Sequence, residues 1–249
     1  MLGGLLFEAV GRRATFYAAA VLVIANALAM LALSCAAPAL QIAPRPRRPD
    51  DPSPLRQLVL LVRDRQVGVV AVGIFAAYAA GGLFDAVFGV HCWDTFGFGP
   101  GRASLLFSVE PATYLLTLKL LEPHADQLSK PLLSAVGLGF IGLSLPLLTA
   151  GSRLSSVVLA TVMHGLGYGF KDAVGHGLLA DLVDRRGLGS HEMAFALADM
   201  ADSVGYIFGP LAGIALCNLV GRTGGLLAFG TGCGALMPLM LDLQIGAAG

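Results

Sequence analysis

Runs of apolar residues recur along the chain, separated by short polar turns, at 14–33, 67–90, 103–121, 131–150, 157–182, 194–219 and 224–243. A helix needs roughly 20 consecutive apolar residues to cross a bilayer, so the pattern predicts about seven transmembrane helices and an all-α membrane fold. Gly11-Arg12-Arg13 forms a polar turn ahead of the first run. Segment 43–65 is the one long polar stretch. Its prolines 44, 46, 49, 52 and 54 exclude a regular helix at its start, and 55–65 reads as a short amphipathic helix at the membrane surface. The turn at 91–102 carries Trp93 and Phe96, residue types that suit a membrane interface.

Basic residues orient this pattern. With alternate turns on alternate sides, Arg45, Arg47, Arg48, Arg56, Arg63, Arg65, Lys130, Arg185 and Arg186 fall together, against Arg12, Arg13, Arg102, Arg153 and Arg222. The richer side is cytoplasmic by the positive-inside rule, which sets the amino terminus outside and the carboxy terminus inside.

Composition agrees with a membrane location: 56% of residues are hydrophobic and 13% are charged, where soluble domains carry about 25% charged residues. The 33 glycines fit closely approaching helices in lipid. A net charge of zero gives no electrostatic case for a nucleic-acid partner. Cys35, Cys92, Cys217 and Cys233 are scattered without metal-ligand spacing. No metal or cofactor is expected, and no spacing suggests an enzyme.

Ionisable side chains inside the apolar runs are the informative exception, because each costs about 2.5–3.5 kcal/mol on insertion scales and such groups mark ion or substrate paths. Asp85 lies in GGLFDAVFG, Lys171 and Asp172 in GYGFKDAVGHG, and Asp199 and Asp202 in ALADMADSVGY. Desolvation disfavours the charged form of a carboxylate. A proton-coupled cycle requires groups of that kind, holding a cation when ionised and releasing it when protonated. Asp199 and Asp202 are three residues apart and share a helix face, which Tyr206 can also line. The structural alternative is a neutralised pair that holds helices together, for which Lys171 with Asp202 is the leading candidate. Lys119 reads as snorkelling to the interface, and His164 and His176 as helix-packing residues.

Motifs add a family resemblance. HADQLSKP resembles a reduced copy of the short acidic-basic motif of major facilitator transporters. GYIFGPLAGIAL, with Gly205, Gly209, Pro210 and Gly213, resembles the Gly-Pro motif of drug–proton antiporters, where a missing backbone hydrogen bond lets a helix bend. GFKDAVGHGLLADLVDRRG followed by FALADMADSVGYIFGP is similar to the tenth and eleventh helices of vesicular amine transporters. On that resemblance Asp172, Asp199 and Tyr206 stand at motif positions, Asp85 corresponds to the family's seventh-helix acid and Tyr114 to its eighth-helix tyrosine. Lys171 beside Asp172, and Gly187 in place of a histidine, depart from the pattern. The start, GLLFEAVGRRATF, resembles the junction of the fifth and sixth helices.

The resemblance implies the carboxy-terminal half of a major facilitator transporter. Residues 1–34 would be the end of the fifth-helix region and the sixth transmembrane helix, 35–66 a cytoplasmic Pro/Arg-rich loop, and 67–249 a six-helix bundle. It implies a proton-coupled antiporter half moving an organic cation, an amine by preference, with Asp85, Tyr114, Asp172, Asp199, Asp202 and Tyr206 binding substrate or protons. Gly205, Gly209, Pro210 and Gly213 would form a hinge. The implied partners are the organic cation, protons, the lipid bilayer, and a missing amino-terminal half or partner subunit. The chain alone is therefore expected not to transport. The rivals are a multidrug–proton antiporter half and a truncated, non-transporting membrane protein acting by association.

Overall fold

Backbone N–H and C=O groups in lipid must be satisfied within the segment that carries them, which apolar runs achieve by coiling into helices. The computed structural model describes residues 2–36, 53–124, 127–151, 153–187 and 191–245. The described residues form nine α-helices: α1 (Leu2–Ala36), α2 (Pro54–Arg63), α3 (Arg65–Phe96), α4 (Pro100–Phe107), α5 (Val109–Leu121), α6 (Lys130–Thr149), α7 (Leu154–Arg186), α8 (His191–Val220) and α9 (Arg222–Ile245). Pro44, Pro46, Pro49 and Pro52, with Arg45, Arg47 and Arg48, lie outside the described residues.

Among the described residues, six helical stretches are long and apolar enough to cross a membrane by length and composition, with α4 and α5 counted together in one of them. The remaining expected span coincides with α7, which has 33 residues but carries His164, Lys171, Asp172 and His176 along its middle. The third expected span, 103–121, is divided at Ser108 into α4 and α5. Pro111 has no N–H to give to the carbonyl four residues earlier, and the helix breaks beside that position.

Local signals set the other boundaries. Gly11 interrupts α1 with a left-handed φ of 78°, a conformation that glycine adopts at little cost, at the polar turn read from the sequence. Ser53 accepts from the Arg56 amide at the start of α2. Asp64 accepts from the amides of Gln66 and Val67 at 2.9 and 3.2 Å, capping the orphan donors of α3. Gly97 and Gly187 close α3 and α7 in left-handed geometry.

The core is built from α3, α6, α7, α8 and α9, with Leu83, Phe84, Leu138, Ile141, Leu145 and Leu179 fully enclosed. One seam decides where the polar residues fall. On α8, Gly205, Gly209 and Gly213 face Phe75, Ala79 and Leu83 of α3 in the same four-residue step. A Cβ at Gly209 would run into the Ala79 backbone, and one on Gly82 would lie 2.6 Å from the Tyr206 carbonyl and 2.8 Å from Pro210 Cδ. Pro210 supplies no hydrogen bond to that carbonyl, and the missing Gly82 side chain leaves room for the carbonyl and the proline ring. Small residues thus bring the two backbones together, as in other lipid-embedded helix pairs.

Candidate functional site

Close approach of α3 and α8 sets Asp85, three residues after Gly82, beside Tyr206, the neighbour of Gly205. The Tyr206 hydroxyl donates to Asp85 Oδ2. On the opposite wall α5 and α7 pack together, bringing Glu110 and Tyr114 towards Tyr168 and Asp172. The four helices, with the end of α4, line an open cavity of about 320 Å³. Asp85, Glu110, Tyr114, Asp172 and Tyr206 all line it, together with Tyr78, Tyr168, Phe107 and Pro111. Carboxylates at several points and aromatic faces between them suit an organic cation: the first supply charge, the second a polarisable surface for an ammonium group.

Six candidate residues came from the sequence, and the structure distributes them unevenly. Asp85, Tyr114, Asp172 and Tyr206 share the cavity. Asp202 lines a small adjoining recess with Tyr78, Lys171, Asp172 and His176. Asp199 lies outside both: its side chain is 76% exposed and sits 4.0 Å from His176. The i, i+3 relation of Asp199 and Asp202 holds along α8, but one member turns towards α3 and α7 and the other towards the surroundings of the bundle.

Lys171 does not take Asp202 as its ion-pair partner, as the sequence suggested. Its ammonium lies 2.8 Å from Asp172 Oδ1 on the same helix. A long aliphatic stem lets the ammonium curl back to its neighbour's carboxylate. Asp172 also accepts from the Tyr78 hydroxyl at 3.3 Å, and Tyr168 donates to the Ala77 carbonyl at 3.2 Å.

Glu110, Tyr78 and Tyr168 are the polar lining residues the sequence reading passed over. An acid inside the run 103–121 was the available signal for Glu110, by the same intramembrane-charge argument that selected Asp85. The tyrosines carry no comparable signal, because a tyrosine in an apolar helix is ordinarily a packing residue. His164 is enclosed, its Nδ1 2.8 Å from Ser144 Oγ and its ring stacked on Phe84 at 4.2 Å. Lys119 is exposed in the last turn of α5. The hinge-motif residues Gly205, Gly209, Pro210 and Gly213 all lie on the α3 seam rather than in the cavity wall.

Residues 70–243 match the family described as Major Facilitator Superfamily. The synaptic vesicular amine transporter of Bos taurus is 22% identical over 219 residues, covering 88% of this chain and 41% of that protein. The chromaffin granule amine transporter of Homo sapiens is 24% identical over 219 residues, covering 88% of this chain and 40% of that protein. Against the synaptic vesicular amine transporter of Rattus norvegicus the identity is 22%, with the same 88% of this chain covered. The chain spans about two fifths of the length of these curated relatives.

Proposed function

The chain belongs to the major facilitator superfamily and is an integral, multi-pass membrane protein; from that premise we propose that it supplies the carboxy-terminal bundle of a proton-coupled antiporter for an organic cation of the amine class. In this reading residues 1–34 form a leading helix, 35–66 a cytoplasmic loop and 67–249 the bundle. The observation that carries it is the cavity in which Asp85 and Glu110 face Tyr114, Tyr168 and Tyr206. Ionised, the carboxylates hold the cation. Protonated, they release it, so that proton and cation alternate on one set of groups.

Transporters of this kind set their sites near the bilayer midplane, between two bundles that rock against each other. The exposed carboxylate of Asp199 supports a second bundle facing α8, because lipid cannot satisfy such a group. Asp199 is then the proton carboxylate at that junction and Asp202 a supporting acid behind Tyr78, while Asp172, the cation carboxylate of the resemblance, is already paired with Lys171 at 2.8 Å and leaves the cation to Asp85 and Glu110. Gly209-Pro210 is the place where α8 bends during rocking.

Uptake of a labelled arylethylamine into proteoliposomes, driven by a pH gradient, tests the reading. Four preparations are compared: this chain alone, the chain joined to a relative's amino-terminal bundle, and the joined protein with Asp85→Asn or Glu110→Gln. Uptake by the joined protein alone, reduced about tenfold or more by either substitution, is the expected result; a tenfold loss corresponds to about 1.4 kcal/mol. Uptake by the isolated chain would remove the need for a second bundle. Uptake of bulky lipophilic cations in preference to the arylethylamine would favour a multidrug antiporter.

A further inference from the structure

Lys171 is buried, 3% exposed, in the middle of α7, and three groups surround its ammonium. Asp172 Oδ1 lies at 2.8 Å, the Tyr78 ring centroid at 3.9 Å and the Tyr168 ring centroid at 5.8 Å. The box is braced by contacts among its own members and one to the backbone: Tyr78 donates to Asp172 Oδ2 at 3.3 Å, the two rings are 5.3 Å apart and tilted at 60°, and Tyr168 donates to the Ala77 carbonyl at 3.2 Å. A carboxylate combined with aromatic faces is the arrangement by which proteins recognise organic ammonium ions. Here the ammonium belongs to the protein.

We propose that Lys171 is a resident alkylammonium ion, filling a carboxylate–aromatic box made by Asp172, Tyr78 and Tyr168 and keeping free primary amines out of it. Tyr78, Tyr168 and Asp172 also line the main cavity, so the box is one wall of it. With Asp172 neutralised by its own neighbour, a free cation is left to Asp85 and Glu110. Lys171 is then a specificity-determining residue, which narrows the usable cavity to its other end. The inference builds on the organic-cation reading, but its test reads binding at one box, so either can fail without the other.

Chemical complementation tests it. Lys171→Ala removes from beyond Cβ the atoms of n-propylammonium, and leaves Asp172 and both rings in place. The purified full chain is melted with n-propylammonium chloride or with potassium chloride at equal ionic strength. The expected result is a rise in Tm of roughly 3–6 °C for Lys171→Ala near tenfold the Kd, with no rise for the wild type or for Lys171→Ala with Asp172→Asn. Loss of most of the rise on adding Tyr78→Leu to Lys171→Ala is also expected, since an ion pair alone would be indifferent to the ring. A folded Lys171→Ala protein that n-propylammonium does not stabilise, or a wild type stabilised equally, overturns the proposal. Should Lys171→Ala aggregate on extraction, recovery of a monodisperse protein by n-propylammonium in the extraction buffer supports it. Failure of that recovery overturns it, whether the neutral Lys171→Met/Asp172→Asn protein folds or not. In the first case the box rejects a free ammonium, and in the second the residues serve the fold itself.

Discussion

Tyr206 and Asp85 meet across the α3–α8 seam, and their hydrogen bond is a direct link between polar residues of those two helices. A hydrogen bond to a charged group contributes about 1.5–3 kcal/mol, and an acceptor left alone in a partly buried place is penalised as well. Tyr206→Phe should therefore lower thermal stability by about 1–3 kcal/mol, read as a drop in Tm of the detergent-solubilised protein. Asp85→Asn should alter the same term. The double variant should lose less than the sum of the two, and an additive result in this double-mutant cycle would show that the groups do not interact. Intramembrane acids were legible in the sequence at Asp85 and Asp172, since a charge in an apolar run is conspicuous. Which of them meet was not legible: Asp199 and Asp202 share one helix, yet 76% side-chain exposure sets Asp199 apart from the recess that takes Asp202.

At the scale of elements the glycine seam makes the sharper prediction. Added Cβ atoms at Gly209 and Gly213 meet different neighbours. At Gly209 the obstacle is the Ala79 backbone, which cannot move without displacing α3, and at Gly213 it is the branched end of Leu83, which can rotate. Overpacking of a fixed contact costs about 1–3 kcal/mol. Gly209→Ala is therefore expected to lower the melting temperature clearly more than Gly213→Ala, in parallel melts of the two purified proteins. A reversed order would mean that the seam is looser than its geometry. The apolar runs announced the helices and the Gly-Pro motif announced an unusual α8. The pairing of that motif with Phe75, Ala79, Gly82 and Leu83 depends on proximity between segments more than a hundred residues apart, which no local pattern encodes. The break at Ser108 lay nearer to reach, because Pro111 stood in the run already taken as a single span.

For the whole molecule, ion pairs mark the two ends of the bundle. Arg186–Asp64 at 2.7 Å, Arg65–Asp242 at 3.4 Å and Lys130–Asp181 at 2.8 Å gather where the basic residues set the cytoplasm. Arg222–Asp94, at 2.8 Å, joins α9 to the far end of α3. Arg65–Asp242 and Arg222–Asp94 are exposed on both sides, and such pairs contribute about 0–1 kcal/mol each, so these two register helix ends more than they hold the bundle together. This arrangement predicts opposite accessibility for two exposed positions. In a protein whose native cysteines are replaced and which is reconstituted in sealed vesicles, Gln127→Cys and Thr95→Cys should each react with a membrane-impermeant maleimide from one side only, and from opposite sides. Labelling of both from one side would break the assigned topology.

The polar middle of α7 has a consequence for biogenesis. A segment carrying His164, Lys171, Asp172 and His176 partitions poorly into lipid when offered alone to the insertion machinery, because each charged residue at a helix centre costs about 2.5–3.5 kcal/mol. Lys171 and Asp172 are adjacent and already paired at 2.8 Å, so they can enter the bilayer as one neutral unit. The preceding helix, α6, packs along α7 more extensively than any other pair of helices in the bundle and is joined to it by residues 150–153. The two segments should therefore leave the translocon together as a helical hairpin. Glycosylation mapping in microsomes would read this directly: a reporter carrying α7 alone should largely fail to insert, one carrying α6 and α7 should insert efficiently, and Asp172→Asn, which leaves Lys171 charged and alone, should depress insertion of the hairpin.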